Sequence, residues 1–187
     1  MLKLKIYLKK KKMEFKKMRY YPVDEDDMWN KEVEKLLPWI DGKGADIGCG
    51  DRTIDNSILT VDCDIKRKPS VVAKGDKLPF KNGELDFIVS IHNLEHYDNQ
   101  REVLDEWRRV VKSGGVIAIV HPDVDYTGIQ AESQYNTDKN KFNKHYHERN
   151  EVDFHRWFLA QKFDDLVIID SGPACREWSF YLIIEKK

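Results

Sequence analysis

A glycine-rich turn at residues 44–50 constrains the fold of this chain more than any other stretch of its sequence. The residues are Gly-Ala-Asp-Ile-Gly-Cys-Gly, and they predict a short buried strand that ends where Gly48 and Gly50 form a turn. Glycine allows a sharp turn and lets a ligand approach the backbone with no Cβ in the way. Such a turn after a strand is typical of open α/β sheets, which hold nucleotide-like ligands at the carboxyl ends of their strands.

Strands and helices alternate along the rest of the chain. Apolar runs predict strands near 44–48, 57–62, 70–73, 85–90, 115–120, 166–170 and 179–185. Apolar residues at helical spacing predict helices over 27–37, 99–111 and 151–163. We expect Asp98 and Asn150 to cap the last two helices and Gly114 to end the second. This order predicts one α/β domain.

The first crossover between parallel strands is short. Only residues 51–57 separate the glycine turn from the second predicted strand, whereas a crossover with a full helix takes about a dozen residues or more. We therefore expect the first crossover helix to be short or missing, which leaves one face of the sheet thinly covered. The helix predicted over 27–37 is the candidate cover for that face.

Further motifs follow the glycine turn in a characteristic order. They are Asp62, Leu78-Pro79-Phe80, Leu85-Asp86-Phe87-Ile88-Val89-Ser90, Leu94-Glu95-His96 and the run from Trp107 to Gly115. As a set, over residues 44–122, they resemble the class I S-adenosylmethionine-dependent methyltransferases, most closely the small type 11 branch. The resemblance implies a Rossmann-like, mostly parallel sheet of seven strands in the order 3-2-1-4-5-7-6, with the last strand antiparallel. It also implies S-adenosylmethionine as the cofactor and direct transfer of a methyl group.

The resemblance further implies roles for single residues. Asp46 would pair with the ammonium group of the cofactor, and Asp62 would accept hydrogen bonds from the ribose, with Asp64 as its rival. The family usually has an acidic residue four positions before Leu-Pro-Phe, where this chain has Lys74, so Asp76 is the candidate substitute at the adenine. The predicted cofactor-binding residues are Asp46, Gly48, Cys49, Gly50, Asp62, Asp76, Leu78, Ser90 and His92.

Two histidines that follow predicted strands are the catalytic candidates. His92 comes after the fourth strand and His121 ends the fifth, and either could take a proton from a hydroxyl acceptor near neutral pH. A structural role is the alternative for His92 and for the neighbouring His96. The Asn-Pro-Pro-Tyr-like motif that DNA and many protein amine methyltransferases carry at this place is absent. Methylation of amino groups on nucleic-acid bases therefore loses support. The tail, with His147 followed by the helix over 150–163, resembles that of small methyltransferases that accompany sugar-transfer enzymes, which implies a small-molecule or sugar hydroxyl as the acceptor.

A long polar connection follows the fifth predicted strand. We expect the segment from Tyr126 to His155 to roof an acceptor site between the ends of the fourth and fifth strands. The segment contains Tyr135, His145, Tyr146 and His147. Closely spaced histidines could suggest a metal, but no cysteine or acidic residue is spaced to complete a site, so no metal is predicted.

Charge divides the chain into a basic arm and an acidic body. Residues 1–19 carry eight lysines and one arginine against Glu14, which gives +8, so the remaining residues carry −1 − 8 = −9. We predict a disordered, dispensable arm over 1–19 and a single methyltransferase domain over 20–187. An arm that contacts phosphates is the alternative.

Composition narrows the cellular setting. No apolar run in the 187 residues is long enough to span a membrane, and no secretory signal is apparent. Three cysteines with no paired spacing favour free thiols and a cytoplasmic protein. Two alternatives to the enzyme stay open. One is a catalytically silent, cofactor-binding partner subunit, and the other is a nucleic-acid methyltransferase guided by the basic arm, against which the acidic body argues.

Overall fold

The sheet has the predicted order. The computed structural model describes residues 28–125, 145–147, 149–175 and 178–187. In this part the strands are β1 (Gly44–Ile47), β2 (Leu59–Asp62), β3 (Val71–Val72), β4 (Leu85–Ile91), β5 (Val111–Pro122), β6 (Leu166–Cys175) and β7 (Ser179–Lys186). They form one seven-stranded sheet in the order β3-β2-β1-β4-β5-β7-β6. Pairing is parallel from β3 to β5, and β7 is antiparallel to β5 and β6, which confirms the predicted fold class.

Helices lie close to their predicted positions, with two corrections at their ends. They are α1 (Met28–Leu36), α2 (Gln100–Val110) and α3 (Glu151–Ala160). Asn150 caps α3 as predicted, but α2 is capped by Asn99 rather than Asp98. Gly114 does not end α2, because the chain passes from Val110 directly into β5, within which Gly114 has φ +75°.

Helices α2 and α3 cover one face of the sheet. Trp107 of α2 and Phe154 of α3 are fully buried in the core cluster on this face. The indole Nε1 of Trp107 also donates to the carbonyl of Gly75 at 2.9 Å. This bond ties the loop after β3 to the core, at the edge where the strands end.

Helix α1 covers the opposite face, as expected from the short first crossover. Its Val33 and Leu36 are buried in a second core cluster, together with Ile54 and Ile58 from the chain between β1 and β2. Residues 48–84, all of which the structure describes, contain no α-helix and only a 3-10 turn at Ile65–Arg67. The first three crossovers are therefore loops.

Several further expectations concern the chain as a whole. Among the described residues, no helix has the length and apolar character needed to cross a membrane. Cys49, Cys63 and Cys175 are thiols rather than disulfides. The arm over 1–19 lies outside the described residues, so the predicted division at residue 20 stays a prediction.

Candidate active site

A cleft of about 460 Å³ opens at the carboxyl ends of the parallel strands. Loops that follow β1, β2, β3 and β4 line it, and Tyr146 comes from the end of the long connection. Its lining includes Gly48, Gly50, Asp62, Cys63, Asp64, Arg67, Ala73, Lys74, Gly75, Asp76, His92, Asn93, His96, Tyr97 and Asp98. Ligands of open α/β sheets bind at such an edge.

Left-handed backbone at two glycines shapes the first loop. Gly48 has φ +76° and Gly50 has φ +57°. A Cβ on Gly48 would lie 2.3 Å from Cγ of Asn93, whereas a Cβ on Gly50 would meet nothing within 4 Å. Gly48 thus permits close packing of the β1 and β4 loops, and Gly50 keeps backbone open to the cleft. A side chain at Gly48 would therefore displace Asn93.

Asp62 is fixed by two backbone amides at the end of β2. Its Oδ2 accepts from Gly50 N at 3.0 Å, and its Oδ1 accepts from Asp64 N at 2.8 Å. The rival Asp64 accepts instead from Lys66 N at 2.9 Å and caps the 3-10 turn. Asp62 is therefore the better oriented of the two carboxylates to accept hydrogen bonds from a diol.

Asp46 lies at the end of β1, beneath the glycine loop. It is 2% exposed, and its Oδ2 has no hydrogen-bond partner among the described residues. Burial, assisted by the negative charge of Asp62, raises the pKa of Asp46 to about 7. A buried carboxyl with an unused oxygen fits a cationic ligand, because a nearby positive charge favours its ionised form. With the open glycine loop and the oriented Asp62, it fits a cofactor such as S-adenosylmethionine.

The loop that follows β3 contains the residues predicted to contact the adenine. Asp76 and Lys74 both line the cleft there. Leu78, which we expected as an apolar wall for the ring, is buried in the core, where its amide donates to Glu106 Oε1 at 2.7 Å. Tyr97 lines the cleft instead, and its hydroxyl accepts from Gly75 N at 3.0 Å. Tyr97 is thus the aromatic side chain that the structure brings to this part of the cleft.

Ser90 and Cys49, both predicted to bind the cofactor, do not line the cleft. Ser90 is fully buried and donates to Ile47 O at 3.3 Å, while its Oγ accepts from Asn93 Nδ2 at 3.2 Å. Ser90 therefore positions Asn93. Cys49 lines a neighbouring crevice of about 250 Å³. Burial and the charges of Asp46 and Asp62 raise the pKa of the Cys49 thiol to about 12, so the thiol is neutral.

His92 begins the loop after β4 and lines the other end of the cleft. Its φ is +49°, and its Nε2 donates to Glu32 Oε1 at 2.8 Å. Glu32 comes from α1, is 1% exposed and also accepts from Ser179 Oγ at 2.6 Å. Burial opposes protonation of His92, but the hydrogen bond and charges of Glu32 and Glu95 outweigh it and raise the pKa of His92.

Glu95 is a second buried carboxylate in the same loop, and histidines surround it. It is 1% exposed, and its Oε1 lies 3.9 Å from His92 Nδ1 and 4.0 Å from His96 Nε2. Burial alone would raise the pKa of Glu95, but the nearby His121, His96 and His92 outweigh it and lower that pKa. Glu95 is therefore ionised and faces several imidazoles.

His121, the second catalytic candidate, lies in the core and not in the cleft. It is fully buried, and its ring stacks on Phe180 with centroids 5.3 Å apart. Its Nδ1 donates to the carbonyl of Pro122 at 2.8 Å. Burial lowers the pKa of His121 to about 4, so the imidazole is neutral. A side chain without access to the cleft cannot touch an acceptor there, and the expectation of direct contact is corrected.

The long connection reaches the cleft at its last residues. Tyr135 and the rest of 126–144 lie outside the described residues. Tyr146 N donates to Glu95 O at 2.9 Å, and His147 Nε2 donates to Asp98 O at 2.6 Å. His155, by contrast, lies on α3 and contacts Ser171 Oγ at 3.0 Å. The described end of the connection is therefore attached to the β4 loop.

Sequence reasoning missed two residues at this end of the cleft, Glu32 and Glu95. A weak signal existed for each. Glu32 lies one position before Val33 and three after Trp29, on the apolar face of the predicted helix. Glu95 lies between Leu94 and a histidine in a short loop motif. A glutamate is rarely buried unless it is paired with another group. A glutamate among apolar neighbours is therefore a candidate for a buried contact, and this signal applied to both residues.

Comparisons with known proteins agree with this fold. Residues 53–119 match the family model described as "Methyltransferase domain". The uncharacterized protein MJ1123 of Methanocaldococcus jannaschii is 31% identical over 109 residues, which cover 51% of this chain and 53% of the relative. The chain thus spans about half the length of the curated relative that it matches.

Solved structures are similar over most of the chain. A SAM-dependent methyltransferase from Thermotoga maritima superposes with a TM-score of 0.62 at 19% identity, over 85% of this chain and 89% of that one. A chain of the complex between the Haloferax volcanii Trm112 methyltransferase activator and a methyltransferase has a TM-score of 0.67 at 14% identity, over 87% and 90% of the two chains.

The residues that match the family model include several that line or support the cleft. The family match begins directly after the glycine turn and ends in β5, so it contains Asp62, the β4 loop and α2. S-adenosylmethionine is the cofactor of this family, and the buried Asp46, the open Gly50 and the oriented Asp62 fit it. Sheet order and structural similarity together give the chain the Rossmann-like fold of the class I S-adenosylmethionine-dependent methyltransferases, and residues 53–119 match the methyltransferase domain model.

Proposed function

We propose that this chain transfers the methyl group of S-adenosylmethionine to a hydroxyl of a small molecule or sugar. One observation carries the proposal. A single cleft extends from Asp62, which suits a ribose, to His92, which suits proton transfer. Residues that bind the donor and residues that deprotonate the acceptor would then lie on either side of the transferred methyl group.

At the cofactor end, the side chains act by binding and orientation. The carboxylate of Asp62, held by Gly50 N and Asp64 N, would accept hydrogen bonds from the two ribose hydroxyls. Asp46 would face the positive charge of the ligand, and Asp76 would contact the adenine. None of these groups has to move, because backbone hydrogen bonds already fix the loops. Preorganised groups lose little conformational freedom on binding.

At the acceptor end, the chain handles one proton. S-adenosylmethionine supplies a methyl group that the positive charge on its sulfur already activates. The Nε2–H of His92 is bound to Glu32, which leaves Nδ1 as the ring nitrogen that accepts the proton of the hydroxyl. Glu32 then stabilises the imidazolium, as a buried carboxylate does beside a catalytic histidine. Proximity and alignment supply the rest of the rate enhancement.

Methyl transfer from labelled S-adenosylmethionine, measured alongside calorimetric cofactor binding, tests this assignment. We expect His92→Gln to lower turnover on a responsive acceptor by about 100-fold, within the range that general bases contribute. Its cofactor Kd should stay close to that of the parent chain. His155→Gln, on α3, is the matched control and should change neither quantity. Full activity of the His92 variant would remove the base from the mechanism.

The acceptor class can be assayed directly. Sugars, nucleotide sugars and phenolic small molecules represent the proposed hydroxyl acceptors. RNA represents the alternative in which the basic residues 1–19 guide a nucleic-acid methyltransferase. We expect methylation of a member of the first group. Methylation of RNA, with binding that weakens steeply with salt and depends on residues 1–19, would favour the alternative instead.

A second candidate function is a cofactor-binding subunit that works with a partner protein. The loop crossovers leave Ile65 at 70% and Val72 at 53% exposed beside the edge strand β3, which is an apolar surface that a partner could cover. The structurally similar Haloferax volcanii methyltransferase is in complex with the Trm112 activator. Cofactor binding without transfer to any acceptor, and transfer only after a Trm112-type protein is added, would favour this second candidate.

A further inference from the structure

We propose that Glu95, His96 and His145 form a binding site for a divalent transition-metal ion such as Zn²⁺ or Mn²⁺. The ligand atoms of the three side chains all lie within 4.8 Å of one another. Oε1 of Glu95 and Nε2 of His96 are 4.0 Å apart, and the rings of His96 and His145 meet edge to face with centroids 4.9 Å apart. Two imidazoles with one carboxylate are a ligand set that binds such ions and leaves coordination positions open.

The spacing is slightly wider than a bound ion would impose. Zn–N and Zn–O bonds of about 2.0–2.1 Å place tetrahedral ligand atoms roughly 3.3 Å apart. Changes in side-chain rotamers that move the ligand atoms by about 1 Å would bring them to that separation. The turn Leu94–His96 places Glu95 and His96 next to each other in the chain, so their ligand atoms have to approach by less than about 1 Å, and His145 closes the rest of the gap.

The burial of Glu95 is an independent reason to expect a cation. Its side chain is 1% exposed, and Oε2 has no hydrogen-bond partner among the described residues. Removing a carboxylate from water costs several kcal/mol unless opposite charge and hydrogen bonds compensate. A divalent cation beside Glu95 would provide that compensation. Among the described residues, a backbone hydrogen bond and the neighbouring imidazoles of His92, His96 and His121 favour the charged form of this carboxylate, and the imidazoles supply positive charge only when protonated.

The backbone brings His145 to this place without help from an ion. Tyr146, the next residue, donates its amide to the carbonyl of Glu95 at 2.9 Å, and His147 donates to the carbonyl of Asp98 at 2.6 Å. Two hydrogen bonds therefore hold the end of the long connection against the β4 loop. A metal ion would add a third connection between the two segments, because it would be bound by both His145 and Glu95. This arrangement explains why the sequence predicted no metal, since the acidic ligand lies fifty residues before His145.

The site has access to the cleft. His96 and Tyr146 line it, whereas Glu95 lies beneath it. An ion held by Glu95, His96 and His145 would direct its open positions toward the acceptor end. There it would bind the acceptor oxygen and favour loss of the hydroxyl proton, as metal ions do for bound water and alcohols. This role rests on the proposed function, while ion binding itself does not.

Metal titration of the full chain tests the site. After treatment with a chelator, the protein is titrated calorimetrically with Zn²⁺, Mn²⁺ or Mg²⁺, and Co²⁺ is added to record its visible absorption. We expect one equivalent of Zn²⁺ to bind at micromolar or lower Kd, Mg²⁺ to bind far more weakly, and Co²⁺ to develop ligand-field bands. Tighter binding of Mg²⁺ than of Zn²⁺ would overturn the assignment of imidazole ligands.

Variants localise the ion. We expect Glu95→Gln and His145→Gln each to weaken Zn²⁺ binding at least tenfold and to change the Co²⁺ spectrum. His155→Gln is the matched control, because His155 also lies 4.0 Å from a glutamate, Glu151, but belongs to no group of three ligating residues in the part of the chain that the structure describes. Circular dichroism checks the fold of each variant. If Glu95→Gln does not fold, the half-exposed His145 carries the test, and Zn²⁺ binding unchanged in His145→Gln would overturn the proposal.

Cofactor binding separates this proposal from the proposed function. S-adenosylhomocysteine affinity is measured on the same metal-free and metal-loaded protein. Absence of Zn²⁺ binding with intact cofactor affinity would refute the metal site and leave methyl transfer standing. One bound Zn²⁺ that depends on His145, in a protein that methylates no acceptor, would sustain the site and refute the proposed function.

Discussion

The two ends of the cleft are built in different ways. At the cofactor end, the groups come from a continuous stretch, and backbone amides orient them, as Gly50 N and Asp64 N orient Asp62. At the acceptor end, His92 meets Glu32 from a helix sixty residues earlier, and Glu95 meets the segment that carries His145. Local backbone fixes the first end, whereas contacts between distant elements fix the second: the hydrogen bond of His92 with Glu32 and the backbone bond from Tyr146 N to Glu95 O. Substitutions at the first end should change affinity, and those at the second should change turnover.

The largest effect is expected where the two ends touch, at Gly48. In Gly48→Ala the new Cβ lies 2.3 Å from Asn93 Cγ, and φ +76° is strained for alanine. We expect cofactor affinity to fall about 100-fold, because strain of about 1–3 kcal/mol adds to the displacement of Asn93 into the cleft. Calorimetry with S-adenosylhomocysteine measures the loss.

Gly114→Ala is the control for this substitution. Gly114 has nearly the same φ, +75°, but a Cβ there would meet nothing within 4 Å. The alanine should cost stability and leave cofactor affinity unchanged. Equal affinity losses in both variants would mean that strain alone matters and that the contact between the two loops does not.

Asp62→Ala should have the next largest effect. It removes a carboxylate that two amides hold in place, so we expect a loss of about 1.5–3 kcal/mol in cofactor binding. Asp64→Ala removes the cap of the 3-10 turn and an exposed ion pair with Arg67, and it should cost about 0.5–2 kcal/mol of stability, with little change in affinity. The reverse order of affinities would assign the ribose to Asp64.

At the acceptor end, Glu32→Ala should separate turnover from affinity. The variant leaves His92 Nε2 and Ser179 Oγ without their shared acceptor in a buried place. We expect a loss of about 1–3 kcal/mol in stability and a marked loss of turnover. Thermal unfolding measures the loss of stability, and a methyl-transfer assay measures the loss of turnover. A cofactor Kd that rises along with the loss of turnover would contradict the assignment of Glu32 to the acceptor end.

The pH dependence of cofactor binding should follow Asp46. Its carboxyl titrates near 3.8 when unfolded and near 7 when folded, so its ionisation reduces the stability of the ligand-free protein as pH rises between these values. A cationic ligand favours the ionised form. Affinity should therefore rise with pH up to about 7, by at most about tenfold per unit, and then level off. The same titration on Asp46→Asn should be nearly flat, and a flat profile in the parent chain would contradict this role.

The smallest effect is expected from deleting residues 1–19. They precede every strand of the sheet, and the residues that line the cleft all come from position 48 onward. We expect the thermal midpoint and the cofactor Kd to match those of the full chain. A large drop in either would show that the arm contributes to one of the two ends.

Local patterns in the sequence predict the alternation of strands and helices and the short first crossover, because both depend on short-range periodicity and on the number of residues between strands. The strand order is what the family resemblance implies, and the sheet confirms it, whereas the assignment of the ribose to Asp62 rather than Asp64 stays a prediction. Ser90 and His121 lie inside β4 and β5, and Leu78 lies in the loop after β3. The side chains of all three are buried in the folded chain, which their positions in the sequence do not reveal. Glu32 and Glu95 could not be assigned partners, since their contacts exist only after distant elements pack together.

The lack of an α-helix between residues 48 and 84 should make local unfolding of this part of the sheet easier. Strands β2 and β3 are short and connected only by loops, and β3 is an edge strand, so their amides should exchange with solvent faster than those of β4 and β5. The glycine loop, Asp62 and Asp76 all belong to this labile half. A ligand that contacts all three should slow amide exchange in this half more than elsewhere. Binding of the methyl donor would then stabilise the same strands and loops that form its binding site.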